Sequence, residues 1–426
     1  MEDKNLYAKV REILKENRVT GYSKSQDTHF TYIKPSKNFY RFQFFWDTCF
    51  HIFILCSLGE TDIAKKCLRS QFAMQDDDGF VGHVHYWNNV LPSRITDIFQ
   101  TRPSLGINLV RSHMSALIQP PLVAQALQRI YKKTGDKEYL KEMLPKVKKY
   151  FDWIARNRDY DGDGLITIIS PFESGMDWKP TYDPVVGFPR KKADWRLFWK
   201  VIEVDFMNFI RDYDNEKMRK HDKFRVKDAG FNTFYIKNLK VVADLCDEAG
   251  DEDAGRYREL MKKVRKSLVD VMFDEEDEAF YDVQGKENKK IRILTPTIFF
   301  PVVLDNLPDE IQKKVMDRHF FNKDEFHTKF PIPSLAINDP AFNPDHSMYI
   351  WRGPTWIVNN WFMYQFFLEK GYNDEARHLI AGIKNLIDES GFREYFNPFN
   401  GEGHGAKNFT WAGLVVDMME MEKGNV

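Results

Sequence analysis

Several things are scarce in this 426-residue sequence. No run of about 18 apolar residues occurs, which excludes a helix long enough to cross a bilayer. The start, MEDKNLYAKVREILKEN, is charged and amphipathic and has no apolar core of a secretory signal. The expected location is the cytoplasm. Net charge is nearly absent, with 62 Lys and Arg against 63 Asp and Glu for a balance of -1. That gives no electrostatic reason to expect nucleic acid or an anionic membrane as partner. Only four cysteines are present, Cys49, Cys56, Cys67 and Cys246, with no CxxC spacing. They read as reduced core residues on helices. A linker rich in Pro, Gly and Ser is also missing, so one domain over residues 1–426 is the simplest division.

Aromatic residues, in contrast, are plentiful at 15%, in a chain whose 43% hydrophobic share is ordinary. Phe and Trp can fill helix interfaces, and flat aromatic faces also stack on the C–H surfaces of pyranose rings. Composition leaves both readings open.

Apolar periodicity predicts about a dozen helices. They cover 5–17, 46–58, 61–73, 119–133, 137–157, 194–213, 226–249, 251–272, 294–304, 309–320, 354–370, 373–387 and 409–421. Many are joined in pairs by short turns such as TGD and KGY, while the links between pairs are long and aromatic. FDEEDEAFYDV reads as a hairpin. A proline-rich loop of about thirty residues precedes Trp351, and loops of that length in compact proteins are usually functional. This alternation predicts an all-α fold, an (α/α)6 barrel of six inner and six outer helices with long loops forming the active-site face.

Chemistry concentrates in FESGMDWKPTYD. Asp177 lies among aromatic rings, where lost hydration disfavours the ionised carboxylate and raises its pKa towards that of a proton donor. An isolated ExxxD more often reflects a turn cap with a solvated Glu173. A second carboxylate, Glu394 in GFREYFNPFNGEGHG, changes that balance: an acid and a base in aromatic loops point to hydrolysis of a glycosidic bond. RDYDGDGLI places Asp159, Asp161 and Asp163 at positions 1, 3 and 5 of an EF-hand-like loop. Ser170 stands where that loop wants a bidentate Glu, so a polar turn is the default and a structural calcium ion the alternative. His83 and His85 alternate about Val84 with no third metal ligand in view.

With these residues in place, the chain resembles glycoside hydrolase family 63, particularly its compact bacterial and archaeal members acting on mannosylglycerate and glucosylglycerate. FFWDTCF, GFVGHVHYW, QPPLVAQAL, ESGMD, KDAGFN, WRGPTW, GFREYF, NGEGHG and FTWAGL carry the similarity, in order, over nearly the whole chain. The resemblance implies that Asp177 is the general acid and Glu394 the general base. It implies sugar contacts from Trp46 and Asp47, an aromatic contact from Tyr40, and further binding positions at Gln119, Trp351, Gly353 and Trp411. Phe172 and Gly175 flank the acid in the same motif. Two departures bear on the substrate: Phe172 replaces the usual Trp before ESG, and Trp178-Lys179 replaces Asn-Ser after the Asp.

The expected reaction is inversion at an α-linked glucoside or mannoside, a glycosylglycerate or short α-gluco-oligosaccharide, with no cofactor. Such a reaction calls for about 6.5 to 9.5 Å between the carboxyl groups. The only partner expected is a small carbohydrate, and the sequence sets no oligomeric state. A glycerate leaving group would need donors, and Arg190, Lys191, Lys192, Arg196 and Arg352 are candidates, although the cluster reads first as a solvated face. Two other classes compete. A sugar epimerase on the same barrel would use histidines such as His83, His85, His113 and His404, and a non-catalytic sugar binder would need neither Asp177 nor Glu394.

Overall fold

The computed structural model describes residues 2–89, 95–102 and 113–424. Its helices are α1 (Asp3–Asn17), α2 (Phe45–Ser57), α3 (Thr61–Phe72), α4 (Ile95–Phe99), α5 (Val123–Thr134), α6 (Lys137–Arg158) and α7 (Trp195–Phe209). They continue with α8 (Asn215–His221), α9 (Ala229–Ala249), α10 (Ala254–Met272), α11 (Asp309–Val315), α12 (Ile357–Lys370), α13 (Asn373–Ser390) and α14 (Leu414–Glu422). Among the described residues, strands form only small antiparallel sheets of two or three.

The inner ring closes on itself. Helix α2 packs on α5, α5 on α9, α9 on the short turn Phe300–Val303, that turn on α12, α12 on α14, and α14 back on α2. Sequence texture separates inner from outer helices. Helix α2, FWDTCFHIFILCS, buries all but its last residue, as a helix that is apolar all round must. Its outer neighbours bury a single stripe, as α10 does with Tyr257, Val264, Leu268 and Met272. Helices α5, α9 and α12 each stop at a glycine with positive φ, Gly135, Gly250 and Gly371, which turns the chain into the next outer helix. The sixth outer position is filled by α1, which packs against α14 and the turn Thr410–Gly413. Across this closure Tyr7 donates a hydrogen bond to Glu420.

Some elements differ from the expectation. The segment 294–304 is two short 3-10 turns rather than a helix, because Pro296 and Pro301 remove backbone donors. The polar stretch after α1 is a hairpin, Arg18–Ser23 with Thr28–Ile33. The region around Glu394 is also a hairpin, Arg393–Phe396 with Gly403–Lys407, rather than a loop. The thirty-residue loop before Trp351 carries no helix, as expected. All four cysteines are free and buried. Among the described residues no helix is long and apolar enough to cross a membrane.

Candidate active site

The N-terminal ends of the inner helices gather at one end of the barrel, and the predicted site residues cluster there. Trp46 and Asp47 lie in the first turn of α2, Gln119 just before α5, Trp351 ahead of α12, and Trp411 in the turn leading into α14.

Asp177 follows a short 3-10 turn, Pro171–Ser174, capped by Ser170, whose hydroxyl accepts from the Phe172 N–H. Gly175 comes next with φ of 74°. A Cβ there would fall 2.5 Å from the Trp46 ring, so glycine alone lets the turn lie against the indole. Glu173 is fully buried rather than solvated. It accepts from both terminal guanidinium nitrogens of Arg158 at 2.9 and 2.7 Å and from the backbone N–H groups of Ile118 and Ile169 at 3.0 and 2.8 Å. The first carboxylate of ESGMD is therefore an anchor that ties the turn bearing Asp177 to the segment bearing Gln119. Lys179, also buried, forms ion pairs with Asp228, the N-cap of α9, and Asp282.

Glu394 reaches the pocket from the facing hairpin, whose register shifts between Arg393 and Tyr395. Such a bulge re-aims the side chain it carries. The Glu394 carboxylate accepts from the Tyr40 hydroxyl and from the Ala406 N–H at 2.8 Å. A Cβ at position 405 would sit 2.4 Å from its Oε2, so Gly405 makes room for the carboxylate.

One pocket is lined by Tyr40, Trp46, Asp47, Gln119, Gly175, Asp177, Trp351, Glu394 and Trp411. Phe172 and Gly353 lie outside this lining. Phe172 packs edge-on against Trp178, and Gly353 presses on the Asn343 backbone while donating its N–H to Ser334. Pro35, Phe44, Ile350, Trp356 and Phe409 also line the pocket and were not foreseen. Trp356 was legible as the second Trp of WRGPTW; it stacks on Trp351 at 3.9 Å and 11°. Trp411 donates its indole N–H to Asp47 at 2.8 Å, and the Gln119 side-chain oxygen accepts from the Trp46 N–H at 3.2 Å.

Burial pushes Asp177 up to about 7 and Asp47 up to about 8. The nearby carboxylates add to this, Asp205 and Glu394 acting on Asp177. Only the Asp177 backbone N–H opposes the rise of its own carboxyl. Burial also raises Glu394, but Tyr40 and Ala406 oppose it by donating to the ionised form. The two carboxyl groups of this pocket thus differ in their donors: Asp177 has its own backbone N–H, whereas Glu394 has the Tyr40 hydroxyl and the Ala406 N–H.

Several sequence candidates fall elsewhere. Asp161 pairs with Arg225 and Lys227, and Asp163 with Lys227. Asp159 accepts from the Gly164 N–H at 3.0 Å. With Lys263 3.9 Å from Asp159, each of the three carboxylates already has a cationic partner. His83 bonds Ser115, and His85 meets Gln71; neither lines the pocket, nor do His113 and His404. Of the cations considered for a leaving group, Arg352 is clamped on Asp183, Arg190 on Asp339, and Lys191 and Arg196 on Asp194.

Residues 40–412 match the family model described as the mannosylglycerate hydrolase MGH1-like glycoside hydrolase domain. A mannosylglycerate hydrolase of Thermus thermophilus is 26% identical, over 90% of this chain and 95% of that protein. A glucosylglycerate hydrolase of Mycolicibacterium hassiacum is 24% identical, over 87% and 90%. In fold, the chain is similar to the crystal structure of the family 63 mannosylglycerate hydrolase from Thermus thermophilus in complex with Tris and D-glycerate. The TM-score is 0.83 at 22% identity, covering 97% of this chain and 99% of that one. With a match that begins at Tyr40 and runs past Trp411, enclosing both carboxylates, the chain belongs to the MGH1-like glycoside hydrolases of family 63.

Proposed function

We propose that this glycoside hydrolase, acting as a single catalytic domain, cleaves an α-linked glucoside or mannoside by inversion. In this reading Asp177 is the general acid and Glu394 the general base. The observation that carries it is the contrast just described. A carboxyl held up to about 7 by burial keeps a proton to give near neutral pH. A carboxylate held by two donors stays available to draw a proton from water.

Asp177 protonates the departing glycosidic oxygen. Glu394 activates a water on the opposite face of the ring, and that water's oxygen forms the new bond to the anomeric carbon. Asp47 and Gln119 face the sugar hydroxyls, while Trp46, Trp351 and Trp411 supply ring faces. Two carboxyl groups and water balance the reaction, so no cofactor enters it. The relatives' names make a glycosylglycerate the first substrate to try.

The test is proton NMR of the first product formed from mannosylglycerate, glucosylglycerate and neutral α-glucosides and α-mannosides. The β-anomer should appear first and then mutarotate. An initial α-anomer would mean retention and remove Glu394 as a base acting through water.

A further inference from the structure

Helix α7 sends into the protein a carboxylate that the mechanism above does not use. Asp205 is fully buried, and among the described residues no cation pairs with it. Its two partners are neutral: the Ser170 hydroxyl donates to Oδ1 at 2.6 Å and the Gln100 amide to Oδ2 at 2.8 Å. Glu173, equally buried and three residues past Ser170, has Arg158 to balance it. A clamp alone does not call for a charge. Asparagine would accept from Ser170 as well, and a buried carboxylate without a cation costs far more to desolvate than a buried amide.

The contact with Ser170 leads to Asp177. Ser170 caps the 3-10 turn of ESGMD, its hydroxyl accepting from the Phe172 N–H. Asn208, on the same side of α7 as Asp205, donates to the Ile169 carbonyl at 2.8 Å, so the helix grips two successive residues just ahead of that turn. Ser174 then donates to the Pro171 carbonyl at 2.8 Å and accepts from the Met176 N–H at 3.0 Å. These bonds carry the grip as far as the residue before Asp177. Asp205 also acts through space. Burial raises Asp177, and of the two charges that add to this Asp205 is the stronger, ahead of Glu394. Burial pushes Asp205 itself up to about 7 while Ser170 and Gln100 favour its ionised form, so it still carries charge in the neutral range. The other titratable and charged groups nearby are Glu173 with Arg158 and the Tyr213 hydroxyl around Asp205, and Glu394, Asp47 and Tyr40 around Asp177.

We propose that Asp205 is a positioning residue for Asp177, fixing the turn that carries it and supplying the negative charge that keeps its proton on. The kinetic consequence rests on the reading of Asp177 as general acid.

The test is the pH dependence of kcat/KM in Asp205→Asn, which keeps the bond from Ser170 and removes the charge, with the α-glycoside turned over fastest in the anomer screen. Losing a nearby negative charge stabilises ionised Asp177, so its proton leaves at lower pH. The alkaline fall in kcat/KM should move down by about half a pH unit or more, while the acidic fall, set by Glu394, stays in place. Carboxyl-carbon NMR of Asp177, its signal identified by absence from Asp177→Asn, should show the same downward move without any turnover. An Asp177 carboxyl that titrates unchanged in Asp205→Asn overturns the proposal, whatever happens to kcat, because support of the turn alone moves no pKa. A carboxyl that moves while both kinetic falls stay in place would sink the acid assignment and leave the coupling standing. If Asp205→Asn does not fold, Gln100→Met decides: it removes a donor to ionised Asp205, lessens the charge there, and should move Asp177 the same way by a smaller amount. No movement in that variant overturns the proposal.

Discussion

At the scale of single residues, the site depends on giving two carboxyl groups different surroundings. Asp177→Asn and Glu394→Gln should each lower kcat by about 10²- to 10⁴-fold, the usual worth of a positioned acid or base, with the fold intact by circular dichroism. The pH profile follows from the directions of the shifts. In the proposed mechanism Asp177 must be protonated, so activity should fall as pH rises through about 7. In the same mechanism Glu394 must be ionised, so activity should also fall as pH drops through its raised pKa. Tyr40→Phe removes a donor to the ionised form of Glu394. It should move the acidic limb of kcat/KM upward and leave the basic limb in place; an unmoved acidic limb would separate Tyr40 from the base.

At the scale of elements, short irregular pieces do the positioning. The turn carrying Asp177 can lie on Trp46 only because Gly175 lacks a side chain and tolerates positive φ. Gly175→Ala should cost about 1–3 kcal/mol in backbone strain alone, read as a lower denaturant midpoint together with lower kcat. The same turn is tied to α9 through Lys179. Lys179→Met leaves Asp228 and Asp282 buried beside each other without their cation. Breaking such a group costs about 3–5 kcal/mol, and chemical denaturation should show a loss of that size. Inner and outer helices were legible from apolar content and spacing. The Glu394 hairpin was not, because NPFNGEG reads as a turn whichever strands it joins, and the bulge that aims Glu394 arises from pairing across it. The helix expected at 294–304 fails for a local reason: the apolar content is there, but Pro296 and Pro301 break its hydrogen-bond ladder.

At the scale of the whole molecule, the barrel is closed by residues far apart in sequence. Helix α1 buries Leu6, Val10, Ile13 and Leu14. Val10 also packs where a Cβ on Gly413 would fall, 2.9 Å away, two residues from Trp411 in the pocket. Leu14→Ala should therefore destabilise the protein by about 2–5 kcal/mol in equilibrium unfolding. Removing residues 1–17 should lower both the thermal midpoint and kcat/KM, because the support of the Trp411 turn goes with them. Unchanged kinetics in the shortened protein would show that the pocket does not need this closure.

The sequence by itself determined the all-helical barrel, since that follows from local periodicity and from which helices are apolar all round. It also marked most of the pocket, because Tyr40, Trp46, Gln119, Asp177, Trp351, Glu394 and Trp411 sit in distinctive motifs at inner-helix ends or in the loops beside them. Tertiary structure alone decided which charges were already occupied. Asp161, Glu173, Lys179 and Arg352 are equally plausible as functional groups in a linear sequence, and each finds a partner that folding brings to it. A charge's role depends on its distance to other charges and on how much water remains around it, and neither is a property of sequence position.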